Sequence, residues 1–91
     1  MKMLAVCQSG LGSSFMVQMN IQQILKDKGI EDVEVDHTDV GSVSNNDADY
    51  FFVESTLREA VSNLDSDKVI YLKSLIDLDE IKKAIDKVFD K

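Results

Sequence analysis

The sequence contains no proline, no tryptophan and only one cysteine, one histidine and one arginine among its 91 residues. A single cysteine cannot close a disulfide within the chain, which excludes a disulfide-dependent secreted fold and favours a reducing compartment. No apolar run is long enough to cross a bilayer, and the N-terminus lacks the cationic-then-apolar pattern of a signal peptide. We therefore expect a cytoplasmic protein with no segment inserted in a membrane.

Basic surface is also scarce, because the formal net charge is −7. A nucleic-acid-binding protein needs a basic face, so this charge argues against nucleic acid as a partner. No histidine, cysteine and carboxylate residues cluster at the spacing of metal ligands, and we predict neither a metal nor another cofactor. With 44% hydrophobic and 30% charged residues, the chain has the composition of one globular domain over residues 1–91.

Four apolar segments predict β-strands, and they alternate with helical patterns. The predicted strands are residues 2–7, 33–36, 50–53 and 69–72, and the predicted helices begin at Ser13, at a Thr56–Glu59 capping box and at Asp77. The first helix is predicted to end before Gly29, and the last to bury Leu78, Ile81, Ile85, Val88 and Phe89. Residues 38–47 predict a short helix or an irregular crossover.

Alternation of strands and helices indicates right-handed crossovers and a parallel sheet. The two most apolar strands should be central, which gives the order 2-1-3-4 with helices on both faces, a Rossmann-like three-layer α/β fold. Ligands of such sheets bind beyond the carboxyl ends of the strands, near the point where strand order reverses. The first strand and its loop lie at that point.

Cys7 ends the first predicted strand and is followed by Gln8, Ser9, Gly10, Leu11, Gly12, Ser13 and Ser14. Small residues let backbone N–H groups converge on one concavity, and the helix N-terminus adds partial positive charge. Amide and hydroxyl donors of this kind stabilise a thiolate or a phosphoryl group. The segment therefore predicts a phosphate-binding loop whose rim carries a nucleophile. A buried, inert cysteine is the alternative interpretation.

Three enzyme classes could use such a site: a low-molecular-weight phosphatase or arsenate reductase, a P-loop NTPase, and a flavodoxin-like protein. A low-molecular-weight phosphatase carries Cys-x5-Arg, whereas Ser13 occupies the arginine position and Arg58 is distant in sequence. A P-loop NTPase needs a lysine, and none lies between Lys2 and Lys26. A flavodoxin-like loop could hold the phosphate of FMN, but 91 residues is a short chain for enclosing the flavin. A phosphoryl carrier remains, for which slow attack by water is an advantage.

The loop Cys7-Gln8-Ser9-Gly10-Leu11-Gly12-Ser13-Ser14 resembles the Cys-x-x-Gly-x-Gly-Ser-Ser loop of EIIB proteins of the sugar phosphotransferase system (PTS), the ascorbate type in particular, with mannitol-type loops similar. Lactose and chitobiose EIIB proteins carry Cys-x-x-Gly-Met-Ser-Thr-Ser instead. The resemblance implies one EIIB domain over residues 1–91, and a phosphotransferase whose Cys7 receives phosphate from an EIIA phosphohistidine. It further implies that residues 8–14 bind the phosphoryl group. Phospho-Cys7 would then donate to a sugar, L-ascorbate by this resemblance, held by the membrane permease EIIC.

Several other residues have a functional and a purely structural interpretation. Phe15, Met16 and Met19 fall off the core face of the first helix and predict a docking surface for a partner; alternatively, Phe15 packs against the last helix or a loop. We expect His37 to end the second strand as a solvated side chain, and Asp39 to lie on the surface. Thr56 is expected to cap a helix and Arg58 to be solvated; whether His37 or Thr56 contacts phosphate stays open. A regulatory domain that keeps the thiol without using it is a further alternative.

Overall fold

Four strands and two α-helices build the fold, as given by a computed structural model that describes residues 1–8, 13–73 and 77–89, with residues 13 and 14 described by their backbone alone. The strands are β1 (Lys2–Cys7), β2 (Glu34–Asp39), β3 (Tyr50–Glu54) and β4 (Val69–Leu72), and the helices are α1 (Ser13–Asp27) and α2 (Leu78–Phe89). Two 3-10 turns, Ser55–Leu57 and Glu59–Val61, follow β3.

The strands form one parallel sheet in the order β2-β1-β3-β4. Met3 of β1 lies opposite Val35 of β2 and Tyr50 of β3, and this register is kept along both pairs. The predicted strand order is confirmed, and the two central strands are the most apolar because both of their faces are covered.

Alternate residues of β1 face two different layers. Met3, Ala5 and Cys7 pack in the cluster that includes the apolar faces of α1 and α2. Leu4 and Val6 pack in a second cluster on the opposite face of the sheet. That face is covered by residues 40–48 and by the 3-10 turns, through the buried side chains of Val43, Ala48, Val61 and Leu64. The three-layer prediction is confirmed, with both α-helices on one face and 3-10 turns on the other.

The predicted ends of two helices are confirmed by their capping bonds. Gly29 has a φ of +74°, and the Ile30 N–H donates to the Leu25 carbonyl at 2.9 Å, which closes α1 with the pattern expected of a left-handed cap. At the start of α2, Asp77 Oδ1 accepts bonds from the backbone N–H groups of Asp79 and Glu80 at 3.0 and 3.2 Å. Asp77 is therefore the N-cap of α2.

The predicted helix at Thr56 is wrong. The Thr56 hydroxyl donates to the Glu54 carboxylate at 2.8 Å, and the backbone forms two 3-10 turns in place of an α-helix. A short helix gains little from its own hydrogen bonds, so the burial of Val61 and Leu64 against the sheet decides the path of the chain here.

The predicted apolar face of α2 is narrower than expected. Ile81, Ile85 and Val88 are buried, whereas Leu78 is 54% and Phe89 38% exposed. Both exposed residues stand at the ends of the helix, where the sheet no longer covers them. Residues 38–47 form an irregular crossover, as predicted, although β2 continues as far as Asp39 before the crossover begins.

Candidate functional site

Cys7 lies at the carboxyl end of β1, with 6% of its surface exposed. Its side chain faces the helical layer, and its backbone carbonyl accepts a hydrogen bond from the Val40 N–H at 3.0 Å. Because β1 is flanked by β2 and β3, the thiol is held on a strand that is fixed from both sides. This is the rigid placement that a nucleophile at a strand end needs.

Helix α1 begins at Ser13, shortly after Cys7, so its N-terminus lies at the same edge of the sheet. Gln8 is exposed at the start of the connecting loop. The predicted phosphate-binding residues Ser9, Gly10, Leu11 and Gly12 lie outside the described residues, as do the side chains of Ser13 and Ser14. The start of α1 agrees with the sequence prediction, and its N-terminal dipole favours an anion there.

Asp39 is the residue of β2 that lies opposite Cys7 in the sheet. It is half-buried, and one of its carboxylate oxygens is 3.4 Å from the position that a Cβ on Gly41 would occupy. Val35 and His37 of the same strand face α1, so Asp39, two residues further on, faces the same side as Cys7. The prediction of Asp39 as a surface residue is therefore wrong.

Glu54 ends β3 on the other side of Cys7, directly after Val53, which pairs with Val6. Its carboxylate accepts a hydrogen bond from the Thr56 hydroxyl at 2.8 Å. The end of β1 is thus bordered by one carboxylate on each neighbouring strand. Sequence reasoning missed this arrangement, although the alternation Val35, His37, Asp39 carried the signal.

His37 does not end β2, because the strand runs two residues further, and the ring is partly covered rather than solvated. Its imidazole stacks on Phe15 of α1, with ring centroids 5.5 Å apart and an interplanar angle of 25°. Its Nδ1 is hydrogen-bonded to Oε1 of Gln18, whose Nε2 in turn donates to the Val35 carbonyl at 3.1 Å. An amide oxygen only accepts, so Nδ1 carries the proton in this network.

The predicted docking surface is Phe15, Met16 and Met19, which are 46%, 52% and 55% exposed. All three stand on the N-terminal half of α1, next to the loop that follows Cys7. One side of Phe15 stacks on His37 of β2, a contact that neither sequence interpretation predicts. The N-terminal half of α1 therefore exposes three large apolar side chains to solvent.

Arg58 is exposed, as predicted, and its guanidinium lies 4.2 Å from the centroid of the Tyr71 ring. Tyr71 packs with Leu4 and Val6, on the face of the sheet opposite to Cys7. The only arginine of the sequence is therefore directed away from the thiol. The site around Cys7 therefore differs from one in which an arginine guanidinium binds the phosphate.

Among residues 1–8, 13–73 and 77–89, no three histidine, cysteine or carboxylate side chains are grouped so as to hold a metal ion. Over the same ranges, no helix has the length and apolarity needed to span a membrane.

The parallel sheet in the order β2-β1-β3-β4, with a cysteine at the carboxyl end of its first strand shortly before a helix N-terminus, defines a Rossmann-like protein. The model of the family described as PTS system, lactose/cellobiose-specific IIB subunit, matches residues 2–87. The chain belongs to this family of the sugar phosphotransferase system. No curated protein sequence matches the chain significantly.

Solved structures with similar backbones include phosphatases. The chain is 16% identical, with a TM-score of 0.64, to a low-molecular-weight protein tyrosine phosphatase from Bacillus subtilis, over 99% of this chain and 91% of that one. It is 15% identical, with a TM-score of 0.60, to a mutant of YwlE from Bacillus subtilis, over 99% and 92% of the two chains. It is 14% identical, with a TM-score of 0.58, to a YwlE arginine phosphatase mutant that has a phosphorylated active-site serine, over 99% of this chain and 90% of that one. These similarities show the fold.

Proposed function

We propose that the protein is a phosphoryl carrier of a sugar phosphotransferase system and that Cys7 is the residue phosphorylated. The observation that carries the proposal is the place of Cys7: in a chain of the IIB family, the only thiol ends a central strand beside the N-terminus of α1. The donor is the phosphohistidine of an EIIA protein, and the acceptor is a sugar bound by the membrane permease EIIC.

Water is not the nucleophile in either of the two phosphoryl transfers. The Cys7 thiolate attacks phosphorus, the S–P bond forms as the N–P bond of the phosphohistidine breaks, and the leaving imidazole takes a proton from solvent. A sugar hydroxyl then attacks the phosphocysteine, the O–P bond forms as the S–P bond breaks, and the hydroxyl proton is released. The thiolate is regenerated for the next cycle.

Residues 8–14 would hold the phosphoryl group between the two transfers. Their backbone N–H groups and the hydroxyls of Ser9, Ser13 and Ser14 are suitable donors, and the dipole of α1 adds to them. No lysine or arginine lies between Lys2 and Lys26, so the loop would stabilise the anion through dipoles. Dipoles bind phosphate without the guanidinium that speeds attack by water.

For the sugar, we propose L-ascorbate. The family description names lactose and cellobiose, whereas Gly12-Ser13 of the loop is similar to the ascorbate type and departs from the lactose type. The test uses membranes that contain candidate EIIC proteins, loaded in parallel with ascorbate, lactose and cellobiose. Phosphorylation of ascorbate alone supports the proposal, and phosphorylation of either disaccharide in its place refutes this part of it.

The exposed Phe15, Met16 and Met19 are proposed as the docking surface for EIIA and EIIC. They adjoin the phosphorylated loop, and methionine adapts to partners of different shape, as a carrier with two partners requires. We further propose that the protein acts in the cytoplasm as one EIIB domain.

A cysteine phosphatase is the second candidate. It is favoured by the backbone similarity to phosphatases, one of which is a cysteine-to-serine mutant that carries a phosphorylated active-site serine. Two observations speak against it. Ser13 stands where a phosphatase loop has arginine, and Arg58 lies on Tyr71 at the opposite face of the sheet. A regulatory domain with an unused thiol is the remaining alternative.

Intact-mass measurement separates these candidates. The protein is incubated with phosphorylated EIIA, and one phosphate adduct is expected that disappears in Cys7→Ala. The isolated phosphoprotein should persist in buffer and lose its phosphate when EIIC membranes and sugar are added. Rapid loss in buffer, unchanged by membranes and sugar, would support the phosphatase, and absence of an adduct would support the regulatory domain.

A further inference from the structure

We propose that Asp39 is a positioning residue of the carrier: its carboxylate places negative charge beside Cys7 and keeps the phosphocysteine reactive towards its acceptor. The inference rests on the proposed function and deepens it. A carrier that binds its phosphoryl group too tightly cannot pass it on. A negative charge beside the loop destabilises the phosphocysteine and so favours transfer to the acceptor.

The position of Asp39 follows from register and face. It is the β2 partner of Cys7, whose side chain packs in the helical layer, and the alternation of side chains from Val35 along β2 places Asp39 on the same face of the sheet. Neighbouring strands lie about 4.8 Å apart, so paired residues on one face are immediate neighbours. Asp39 is half-buried, which weakens the screening of its charge by water.

The backbone holds this carboxylate at the edge where the loop begins. The Asp39 carbonyl accepts bonds from the Ser42 and Val43 N–H groups, both at 3.2 Å, and the Val40 N–H donates to the Cys7 carbonyl at 3.0 Å. Gly41 follows with no side chain, and its Cβ position lies 3.4 Å from Asp39 Oδ1. The turn therefore fixes Asp39 against the strand that carries the thiol.

Other charged or titratable groups at this edge are few in the described part of the chain. His37 lies on β2 with its Nδ1 bound to Gln18, and Glu54 lies on β3 with its carboxylate bound to Thr56. Lys73 follows β4, and the Glu80 carboxylate of α2 accepts its backbone N–H at 2.8 Å. Helix α1 presents the neutral side chains of Phe15 and Gln18. Asp39 is the carboxylate paired with Cys7 in the strand register.

Two chemical consequences follow. A carboxylate beside the thiol opposes its ionisation, which partly offsets the effect of the loop amides and the α1 dipole. The same charge repels the phosphoryl dianion on Cys7 more strongly than it repels the thiolate. Asp39 would thus raise the tendency of phospho-Cys7 to transfer its phosphoryl group, at the cost of slower charging.

Alkylation tests the charge at Cys7 without any phosphoryl donor. Cys7 is reacted with neutral iodoacetamide and with anionic iodoacetate, in the wild type, Asp39→Asn, Asp39→Ser and Asp39→Glu. The ratio of the iodoacetate rate to the iodoacetamide rate is expected to rise about tenfold in both neutral variants at low salt. The midpoint of the iodoacetamide pH profile is expected to fall by about one pH unit, and Asp39→Glu should stay close to the wild type.

Glu34→Gln is the matched control. It removes the same formal charge from the same strand, but Glu34 lies at the opposite end of β2, exposed and paired with Lys2 at 3.7 Å. Its rate ratio should remain at the wild-type value. The rise in Asp39→Asn should also shrink in about 0.5 M NaCl, where the Debye length falls to a few ångströms.

A rate ratio and pH profile in Asp39→Asn and Asp39→Ser that coincide with the wild type, in variants with native circular dichroism, overturn the inference. A phosphorylation arm separates this failure from failure of the proposed function. With limiting phospho-EIIA, Asp39→Asn should hold a larger phosphorylated fraction and release it more slowly to EIIC and sugar. Normal phospho-Cys7 with an unchanged alkylation ratio refutes the role of Asp39 alone. No phospho-Cys7 in any variant refutes the carrier itself.

Discussion

Substitution of Phe15 by alanine should slow phosphoryl transfer while leaving the fold intact. The ring is 46% exposed, beside the loop that follows Cys7, and its other side stacks on His37. An aromatic side chain of about 200 Å² with this exposure leaves about 90 Å² for a partner to cover. At about 25 cal/mol per Å², full cover contributes about 2 kcal/mol to the transfer complex.

The expected loss in kcat/KM for transfer from phospho-EIIA lies between about fivefold, for half cover, and about 30-fold, for full cover. The measurement is a rapid-mix series at rising concentrations of the phosphorylated donor, read by intact mass. The thermal midpoint should fall by about 4–8 °C, because the stack with His37 contributes about 1 kcal/mol to a domain of this size.

Phe89→Ala is the matched control for the docking surface. Phe89 is also a phenylalanine on a helix, 38% exposed, but α2 carries it to the opposite edge of the sheet from Cys7. It is more covered than Phe15, so its removal should destabilise the fold at least as much. Equal loss of transfer in the two variants, or a wild-type rate in Phe15→Ala, would refute the docking surface.

The remaining predictions concern the loop and the helix ends. Cys7 should react with iodoacetamide at lower pH than a model thiol, because the loop amides and the α1 dipole stabilise the thiolate more than the neighbouring carboxylates destabilise it. A midpoint at or above that of the model thiol contradicts this. Gly12→Val should impair phosphorylation more than thermal stability, and equal loss of both would assign Gly12 to the fold. Gly29→Ala should cost about 1 kcal/mol in the free energy of unfolding, measured by urea titration, with Gly41→Ala as the control at ordinary φ. Asp77→Ala should cost about 1 kcal/mol in the same titration; a change below a few tenths would show that its bonds to α2 contribute little.

The parts of the fold that follow from local patterns were predictable. The apolar runs of β1 and β3 placed these strands at the centre, Gly29 ended α1, and Asp77 opened α2. Each of these features depends on a few consecutive residues, whose spacing is visible in the sequence. Membership of the IIB family was also predictable, because it is indicated by Cys7 and the consecutive loop residues that follow it.

The features that depend on pairing between distant segments were not predictable. Thr56 has the sequence of a capping residue, yet its hydroxyl binds Glu54 because the packing of Val61 draws the chain into 3-10 turns. The alternation along β2 indicates which face of the sheet Asp39 takes, but its pairing with Cys7 depends on the register of β2 against β1, which no local pattern predicts.

The Arg58 side chain illustrates the same limit, since its cation–π partner Tyr71 comes from another strand. The predicted cradle of residues 9–12 lies outside the described residues and stays a prediction.

The alternation of side chains along β1 divides the core into two parts that can be engineered separately. Even-numbered Leu4 and Val6 pack under the turn-covered face, whereas odd-numbered Ala5 and Cys7 pack under the helices. Within the first part, Val61 and Leu64 lie away from the turn that holds Asp39, whereas Val40 and Val43 belong to that turn. The thermal stability of the protein can therefore be adjusted through Val61 and Leu64 with less effect on the geometry around the thiol than through Val40 and Val43.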